Sequence, residues 1–386
     1  MKPSSIKDRP SKRRLTAISL LFALLVPIAG TEQVFADTQP LASPVSTDNK
    51  HKSDRAGNNI APDGDGLSWN GIDALKAYRK MWNPLSAGPE LIPMADTAPP
   101  GEFYIRPFFY GQFTQAQYTD SGGIHSLPAG FYQTQLLSLA EIGVGLTDNT
   151  QFTIFPSMVS LWSGADGQIN NGSGFSDLTM EIKYRFFVQH PDRKIPSMAF
   201  AMHVTLPTSS WTNAPVPPGG LPPLARIPST HYGAPAITPA LLTRYIAKPF
   251  RLYADFFYTY DFPNNAAIAG SPGKPLVQFG DIAQYRLGAE TMINDKTGTG
   301  FILEFAGESG LPFSVDGLPI NGGGAHVGAF NIWGIQPTFE TNLSKNIICS
   351  IGVLLPIAGT NQYQSINPNF SIYWYWGPGG GDVVAR

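Results

Sequence analysis

The strongest constraint on the fold of this sequence is a repeated alternation of apolar and polar residues, in about twelve short stretches between Phe103 and Trp376. The clearest stretch runs from Leu178 to Phe186, with Leu, Met, Ile, Tyr and Phe at every second position and Thr, Glu, Lys and Arg between them. Successive side chains of a β-strand point to opposite faces, so each stretch has one apolar and one ionic face. Repetition of such strands predicts a transmembrane β-barrel whose apolar face meets lipid.

The first residues have the features of an export signal. A basic start is followed by an apolar run over residues 15–29 and by Val34-Phe35-Ala36, which places small residues at −3 and −1 for cleavage before Asp37. The run is shorter than the roughly 20 apolar residues of a comfortable membrane-spanning helix. We therefore expect residues 1–36 to be a cleaved signal peptide, with an uncleaved anchor as the alternative.

Composition limits the possible partners. Charged residues make up 14% of the chain, below the roughly 25% of soluble domains, whereas hydrophobic residues are an ordinary 42%. Residues 1–36 hold six of the 26 basic and two of the 28 acidic residues, so the remaining chain is acidic, which argues against nucleic acid as a partner. The single Cys349 and the scattered histidines have no metal-site spacing, and we expect no metal and no cofactor.

The chain before the first strand divides into a linker and a short helix. Residues 37–66 are polar and rich in Asp, Asn, Ser and Pro, which predicts a flexible linker. Apolar residues at helical spacing predict a helix over residues 70–82, either as a periplasmic flank or as a plug for the lumen. Prolines between Pro84 and Pro100 then predict an extended approach to the first strand. The expected domains are residues 37–99 as a periplasmic linker, 100–377 as an outer-membrane barrel and 378–386 as a tail.

Twelve strands are predicted from the alternation and from the turn residues between them. Connections after even-numbered strands are short, as at Asp148-Asn149 and Lys248-Pro249, whereas most others are long, the longest being residues 208–235. Short periplasmic turns, longer extracellular loops and an even strand count are the pattern of bacterial barrels. The predicted fold is therefore all-β, a closed antiparallel transmembrane barrel of about 12 strands with both termini periplasmic. The predicted strands are residues 103–117, 131–147, 150–162, 176–188, 197–207, 236–247, 250–262, 278–293, 300–309, 328–342, 347–358 and 368–376.

A water-soluble barrel or sandwich with its apolar face inside is the alternative fold. Aromatic residues near the strand ends favour the membrane barrel, because Trp and Tyr concentrate at the two membrane interfaces. Four of the prolines in the predicted strands argue against it, because proline lacks the N–H group that a strand ladder uses. We expect each of them to lie at a bulge or at a strand end: Pro107, Pro156, Pro239 and Pro337.

One strand resembles a known family of outer-membrane proteins. Residues 174–185, with the sequence GFSDLTMEIKYR, are similar to the G-F-G-D-L-T-L-G-x-K-Y-R strand of the phenol meta-degradation pathway transporter type. Weaker similarities at residues 200–208, 280–290 and 351–359 extend the resemblance to roughly residues 100–376. The resemblance implies a barrel through which small, often aromatic or hydrophobic, molecules cross the outer membrane. Chains of that family usually end on the aromatic last strand, whereas here residues 377–386 follow it.

The polar face of the predicted strands carries many charges, and an Arg or Lys facing lipid at the midplane costs about 2–4 kcal/mol. We therefore expect these charges to line the lumen. About eight strands give a filled interior and 16–18 give an open channel, so twelve predict a narrow or gated pore. The candidate substrate-contacting residues are Arg185, Arg251 and Arg286, paired with Glu181, Asp255 and Glu290 on the same or adjacent strands. The other predicted lumen charges are Arg106, Lys183, Arg244, Glu141, Asp177, Asp261, Glu304, Glu308 and Glu340. The alternative is a lumen closed by ion pairs that only compensate one another.

The sequence favours an outer-membrane channel or transporter for small solutes over two alternatives. A structural or surface-exposed barrel would act through its long loops. An outer-membrane acyl hydrolase would need a serine and a histidine, and the candidates His125, Ser126 and His203 belong to no recognised catalytic motif. We expect no catalytic residue and no enzymatic activity. The expected partners are outer-membrane lipids, the barrel assembly machinery and a small-molecule solute.

Overall fold

The structure is a computed structural model that describes residues 86–165, 168–190, 194–209, 234–265, 273–319, 328–344 and 346–376. The predicted signal peptide, the helix predicted for residues 70–82 and the predicted tail lie outside these ranges. Within them we find no helix that is long and apolar enough to cross a membrane.

Strands account for most of the described residues. They are β1 (Phe103–Tyr118), β2 (Ile124–Ser126), β3 (Tyr132–Thr147), β4 (Thr150–Phe155), β5 (Ser157–Ala165), β6 (Gln168–Phe175), β7 (Leu178–Phe187), β8 (Ser197–Leu206), β9 (Ala236–Ala247), β10 (Phe250–Asp261), β11 (Asn264–Asn265), β12 (Leu276–Gln278), β13 (Ile282–Asn294), β14 (Thr299–Gly310), β15 (Ser314–Val315), β16 (Leu318–Pro319), β17 (Phe330–Ser344), β18 (Ile347–Thr360) and β19 (Tyr363–Trp376).

Fifteen of these strands form one sheet that closes on itself. β4 and β5 together make one strand of the barrel, and β6 and β7 make the next, because β4 pairs with β7 and β5 pairs with β6. β2 only extends the end of β1. Every ladder is antiparallel, and β1 pairs with both β3 and β19, which closes the ring. The predicted all-β fold, a closed antiparallel barrel of twelve strands, is confirmed.

Two hairpins are longer than predicted. Residues 164–174, predicted as a long loop, belong mostly to the ladder in which β5 pairs with β6 along its length. Similarly, only Asn361 and Gln362 separate β18 from β19, where the predicted strands leave a longer loop. Glycine, serine and asparagine are poor strand formers, which is why their pattern predicts loops. In the hairpins the ladder supplies partners for their backbone N–H and C=O groups and outweighs this preference.

Three of the four strand prolines lie inside continuous strands and not at bulges or strand ends, so that prediction is wrong for them. Pro107 pairs with β3 while the ladder to β19 skips it. Pro239 and Pro337 are likewise paired with one neighbouring strand and skipped by the other. A proline without an N–H group can be accommodated if the ladder is interrupted on one side only. Pro156 separates β4 from β5, at a strand end as predicted.

The apolar face of the strands is outside and the ionic face is inside, as predicted. Ile182 and Leu252 are 51% and 43% exposed, whereas the adjacent Lys183 and Arg251 are 0% and 1% exposed. One rim carries an aromatic girdle that includes Trp376, which contacts two other rings. An apolar outer belt with an aromatic rim is suited to a bilayer and to no aqueous compartment. The protein is an outer-membrane barrel.

The two ends of the barrel differ in their connections. One end, here called the short-turn end, has only connections shorter than ten residues. The other, the long-loop end, carries the long loops and also the two-residue turn between β18 and β19. At the long-loop end β11, β12, β15 and β16 form a separate antiparallel sheet from two loops. Gly280 lies where these loops meet, and a Cβ there would be 2.0 Å from the carbonyl oxygen of Leu311, so only glycine fits. In bacterial barrels the short turns face the periplasm, and we expect the same here.

Candidate functional site

Residues 86–98, here called the lumen segment, lie inside the barrel, and all of them are buried. This placement differs from the periplasmic linker predicted for residues 37–99. The composition of the segment suits an interior site. Pro89 and Pro93 have no N–H group that would need a partner, and the acidic Glu90 and Asp96 reach basic residues of the wall.

The lumen segment enters at the short-turn end and rises to the middle of the barrel. The backbone N–H of Ala87 donates to Glu340 Oε2 at 3.0 Å. The N–H groups of Glu90 and Leu91 donate to the two carboxylate oxygens of Glu304, at 3.0 and 2.6 Å. Glu304 lies midway along β14. The Glu304 carboxylate therefore accepts the two backbone hydrogen bonds that the carbonyl groups of a paired strand would otherwise accept.

The lumen segment then returns to the short-turn end beside β3 and β4. Thr97 Oγ1 donates at 2.9 Å to a backbone carbonyl of the β3–β4 turn, and the N–H of Ala98 donates to Gln151 Oε1 at 2.8 Å. Entry and exit are thus at the same end of the barrel. The segment is a re-entrant loop with residues 91–94 at its apex.

The exit of the segment is a tight backbone contact. Gly145 of β3 permits it, because a Cβ at this position would lie 2.1 Å from the carbonyl oxygen of Pro99. The N–H of Gly145 donates to the carbonyl of Glu102 at 3.0 Å, and Gly101 donates back to Gly145 at 2.9 Å. The Glu102 side chain, which precedes the first spanning strand, is buried here, and burial raises the pKa of its carboxyl to about 8. Burial at this mouth of the barrel thus favours the neutral form of the carboxyl over the charged form.

Glu90 anchors the incoming side of the lumen segment. Its Oε1 lies 3.3 Å from Arg106 Nη2 and accepts hydrogen bonds from Ser371 Oγ, at 2.7 Å, and from Ser350 Oγ. The hydroxyl of Tyr110 donates to the Glu90 carbonyl oxygen at 3.2 Å. These four partners come from β1, β18 and β19, where the barrel closes. The ion pair is fully buried, so neither charge can be compensated by bulk water.

Asp96 anchors the outgoing side between two arginines. Arg185 Nη1 lies 3.1 Å from Asp96 Oδ1, and Arg244 binds Oδ2 of the same carboxylate. Lys183 Nζ donates at 3.3 Å to the carbonyl oxygen of Met94. Charge-assisted contacts of this kind are stronger than hydrogen bonds between neutral groups. Three basic residues of β7 and β9 are therefore turned toward the chain's own segment.

The apex of the lumen segment packs into an apolar layer of the wall. Gly288 of β13 makes room for Ile92, because a Cβ at this glycine would lie 2.6 Å from Ile92 Cδ1. Arg286 donates to the carbonyl oxygen of Leu91. Together these contacts hold the segment from several sides of the barrel. The apical Leu91, Ile92 and Met94 belong to one buried cluster with Phe108, Tyr110, Leu137, Leu139, Phe155, Val159, Tyr253, Ala306 and Leu354.

The structure places all six candidate lumen residues inside the barrel, and some but not all of them form pairs of the predicted kind. Arg251 and Glu290 form an ion pair at 3.3 Å. Arg286 lies opposite Asp255 in the β10–β13 ladder, and it also donates to the lumen segment. Arg185 contacts the lumen segment as well. Two of the three arginines therefore bind a part of the chain that the sequence analysis assigned to a linker.

The sixth candidate, Glu181, belongs to a polar network of the wall. Its Oε2 lies 2.8 Å from His203 Nε2, and its Oε1 accepts from Thr153 Oγ1 at 3.2 Å. The other histidine considered for a hydrolase, His125, lies with Ser126 in β2, where both are exposed. The structure does not bring these hydrolase candidates together, since β2 is at the long-loop end and His203 is inside the barrel.

Beyond the apex, toward the long-loop end, the lumen wall changes character. Amides and hydroxyls replace the arginines: Gln112 Nε2 donates to Ser365 Oγ at 3.3 Å, and Gln112 lies opposite Gln135 in the β1–β3 ladder. One amide oxygen each of Gln112, Gln135 and Asn367 is buried with no hydrogen-bond partner among the described residues. We call this part of the lumen the amide layer. The lumen residues predicted from the sequence are all charged, so this uncharged layer was not predicted.

Comparison with solved structures supports the fold. No family model matches the sequence, and no curated protein matches it. The COG4313 outer-membrane channel from Pseudomonas putida F1 is similar at a TM-score of 0.56, with 12% identity, over 73% of this chain and 98% of that chain. A mutant of the monoaromatic hydrocarbon channel TodX is similar at a TM-score of 0.36, with 13% identity, over 72% of this chain and 91% of that one. The similarity to the COG4313 channel supports the closed barrel fold of this chain.

Proposed function

We propose that this protein is a channel for small solutes that its own lumen segment closes and that opens when the segment moves. The observation that carries the proposal is the bonding of that segment. It is held inside the barrel by ion pairs, single hydrogen bonds and apolar contacts, and none of its residues joins the ladder of the barrel wall. The segment can therefore leave the lumen without breaking a strand pair.

The solutes we propose are small and neutral or hydrophobic. The amide layer and the apolar layer below it are suited to a molecule with an apolar body and a hydrogen-bonding group. The resemblance to the phenol meta-degradation pathway transporter type favours the same class of solute. After the segment has moved, Arg185, Arg251 and Arg286 with Glu181, Asp255 and Glu290 would line the rest of the path. We infer that they contact the passing solute there.

We propose no enzymatic activity. An acyl hydrolase would need a serine or another nucleophile within hydrogen-bond reach of its histidine. The ring nitrogens of His203 contact Glu181 Oε2, at 2.8 Å, and the carbonyl oxygen of Thr238, at 3.1 Å. Both orient the ring within the wall. A His203→Ala variant should keep whatever phospholipid release the wild type has, and loss of such release would support the hydrolase instead.

The proposal is tested by single-channel recording in planar bilayers, with uptake of small solutes into proteoliposomes alongside. Wild-type protein should be mostly closed with rare openings. A Glu90→Gln/Asp96→Asn double variant, which keeps the size of both side chains, should stay open for longer and admit more solute. A folded double variant that conducts no more than the wild type and admits no solute would favour a structural barrel.

A further inference from the structure

We propose that the outer wall of the barrel carries a binding site for an anionic phospholipid, in a groove between β9 and β10 at the short-turn end. The groove has a volume of about 300 Å³. Its walls are formed by outward-facing residues of both strands, and Lys194 of the β7–β8 connection lies at its end. The residues that line the groove are Lys194, Pro196, Thr243, Tyr245, Leu252, Tyr253 and Ala254.

The groove lies where the ladder between the two strands is interrupted. The register of β9 and β10 pairs Tyr253 with Arg244 and resumes only at Phe256, so the residues between them are not paired across the strands. The N–H of Thr243 donates instead to Asp255 Oδ1, at 2.9 Å, a side chain that points into the barrel. A local opening of the ladder leaves a depression in the wall that regular strands would fill.

The lining of the groove matches an acyl chain. Thr243 and Ala254 are small and form its floor, while Tyr245 and Leu252 are larger and border it. Leu252 is among the exposed large hydrophobic residues of the barrel, so this part of the wall faces the hydrocarbon of the bilayer. A methylene chain in such a groove contacts protein on two sides, whereas on a flat wall it would contact protein on one side only.

The charged end of the groove matches a phosphate group. Lys194 is exposed and lies on a connection at the short-turn end, where the strands leave the membrane. Lys248, on the adjacent β9–β10 turn, adds a second positive charge at the same level. Lysines at this depth extend to the headgroup region and attract anionic lipids. Because short turns of bacterial barrels face the periplasm, the leaflet in question is the phospholipid leaflet of the outer membrane.

The proposal is tested by measuring lipid retained on full-length barrels. Wild type, Lys194→Glu and Ala254→Trp are reconstituted in vesicles with equal amounts of phosphatidylglycerol and phosphatidylethanolamine, extracted in mild detergent and analysed by native mass spectrometry. Wild type should retain phosphatidylglycerol at least several-fold over phosphatidylethanolamine. Lys194→Glu should lose this preference, and Ala254→Trp should lose most retained lipid of both kinds. Lys296→Glu, the same charge change on the β13–β14 turn outside the groove, is the matched control and should behave as wild type.

Three results would overturn the proposal. They are a wild-type lipid preference in Lys194→Glu, equal retention of both lipids by the wild type, and a loss of preference in Lys296→Glu as complete as in Lys194→Glu. If Ala254→Trp does not fold, Thr243→Leu fills the same groove from the other strand, and unchanged retention in that folded variant would equally contradict the site. Channel activity plays no part in these measurements, so their outcome is independent of the proposed function.

Discussion

The two halves of the lumen are built on different chemistry. From the short-turn end to the middle, the wall carries arginines and a lysine that contact the acidic residues and carbonyl oxygens of the lumen segment. Toward the long-loop end the described part of the inward face has amides, hydroxyls and a few acidic residues, such as Glu308, but no arginine or lysine. One half is occupied by the chain itself, and the other offers hydrogen-bonding groups without positive charge. If the proposed function is correct, gating and solute selection are located in different halves.

The proposed function requires the charged half to hold the lumen segment and still release it. Removing a carboxylate such as Glu90 or Asp96 from water has a large desolvation cost, which close contacts to buried arginines repay only in part. When the segment leaves, water can enter and solvate both the arginines and the carboxylates. The net free energy of docking is therefore a small difference between large opposing contributions, as in other buried ion pairs. A modest change at one anchor should then shift the closed–open equilibrium strongly.

The largest effect is expected from replacing the central part of the segment. Exchange of residues 88–96 for an equally long Gly-Ser linker removes both anchors and the apolar apex while keeping the chain connected. Open probability in planar bilayers should rise by at least about tenfold, since a tenfold shift needs only about 1.4 kcal/mol. Heat-modifiable mobility on gels checks that the barrel is folded. A folded variant that remains closed would contradict the assignment of gating to the charged half. Something other than the lumen segment would then close the barrel.

The next largest effect is expected at a single anchor. Asp96→Asn leaves Arg185 and Arg244 without their carboxylate, and removing one partner of a buried pair typically costs about 3–5 kcal/mol. The variant should open more often than the wild type but less often than the linker variant. Asp120→Asn, the same change at an exposed residue of the long-loop end, is the control and should have wild-type gating. Equal effects of the two substitutions would mean that the local ion pairs do not determine closure.

A smaller effect is expected from the wall side of the apex. Gly288→Leu fills the space that Ile92 occupies, and overpacking of this kind typically costs about 1–3 kcal/mol. The substitution should increase open probability by displacing the apex. Adding Ile92→Gly should restore closure in part, because the removed side chain makes room for the new one. If the double variant is as open as Gly288→Leu alone, the effect comes from damage to β13 and not from the segment.

Much of the barrel can be predicted from the sequence, because a bilayer enforces one rule on every strand. Residues such as Ile182 and Lys183 must face opposite sides of the barrel wall. Alternation alone therefore predicts which residues of each strand face lipid and which face the lumen. The lumen segment escapes this rule because it is neither strand nor lipid-facing. Its prolines indicate extended chain, and no periodic pattern shows that the chain turns inward. A usable signal was the presence of Glu90 and Asp96 in an otherwise apolar stretch, next to a barrel with buried arginines.

The smallest effect is expected in the amide layer, where it should concern selectivity and not gating. Gln112→Leu removes a side chain whose Oε1 has no partner among the described residues and which can therefore accept a hydrogen bond from a solute. One hydrogen bond contributes about 0.5–1.5 kcal/mol, so uptake of a neutral hydroxyl-bearing solute at low concentration should fall about two- to tenfold.

Three comparisons make this selectivity test specific. Uptake of a solute of the same size without a hydroxyl group should change little in Gln112→Leu. Open probability should stay at the wild-type level, because the amide layer does not contact the lumen segment through Gln112. Gln115→Leu makes the same substitution on the outward face of β1 and controls for general effects on the strand. If Gln112→Leu instead alters gating as strongly as Asp96→Asn, the two halves of the lumen do not act separately, and solute selection and closure belong to one continuous site.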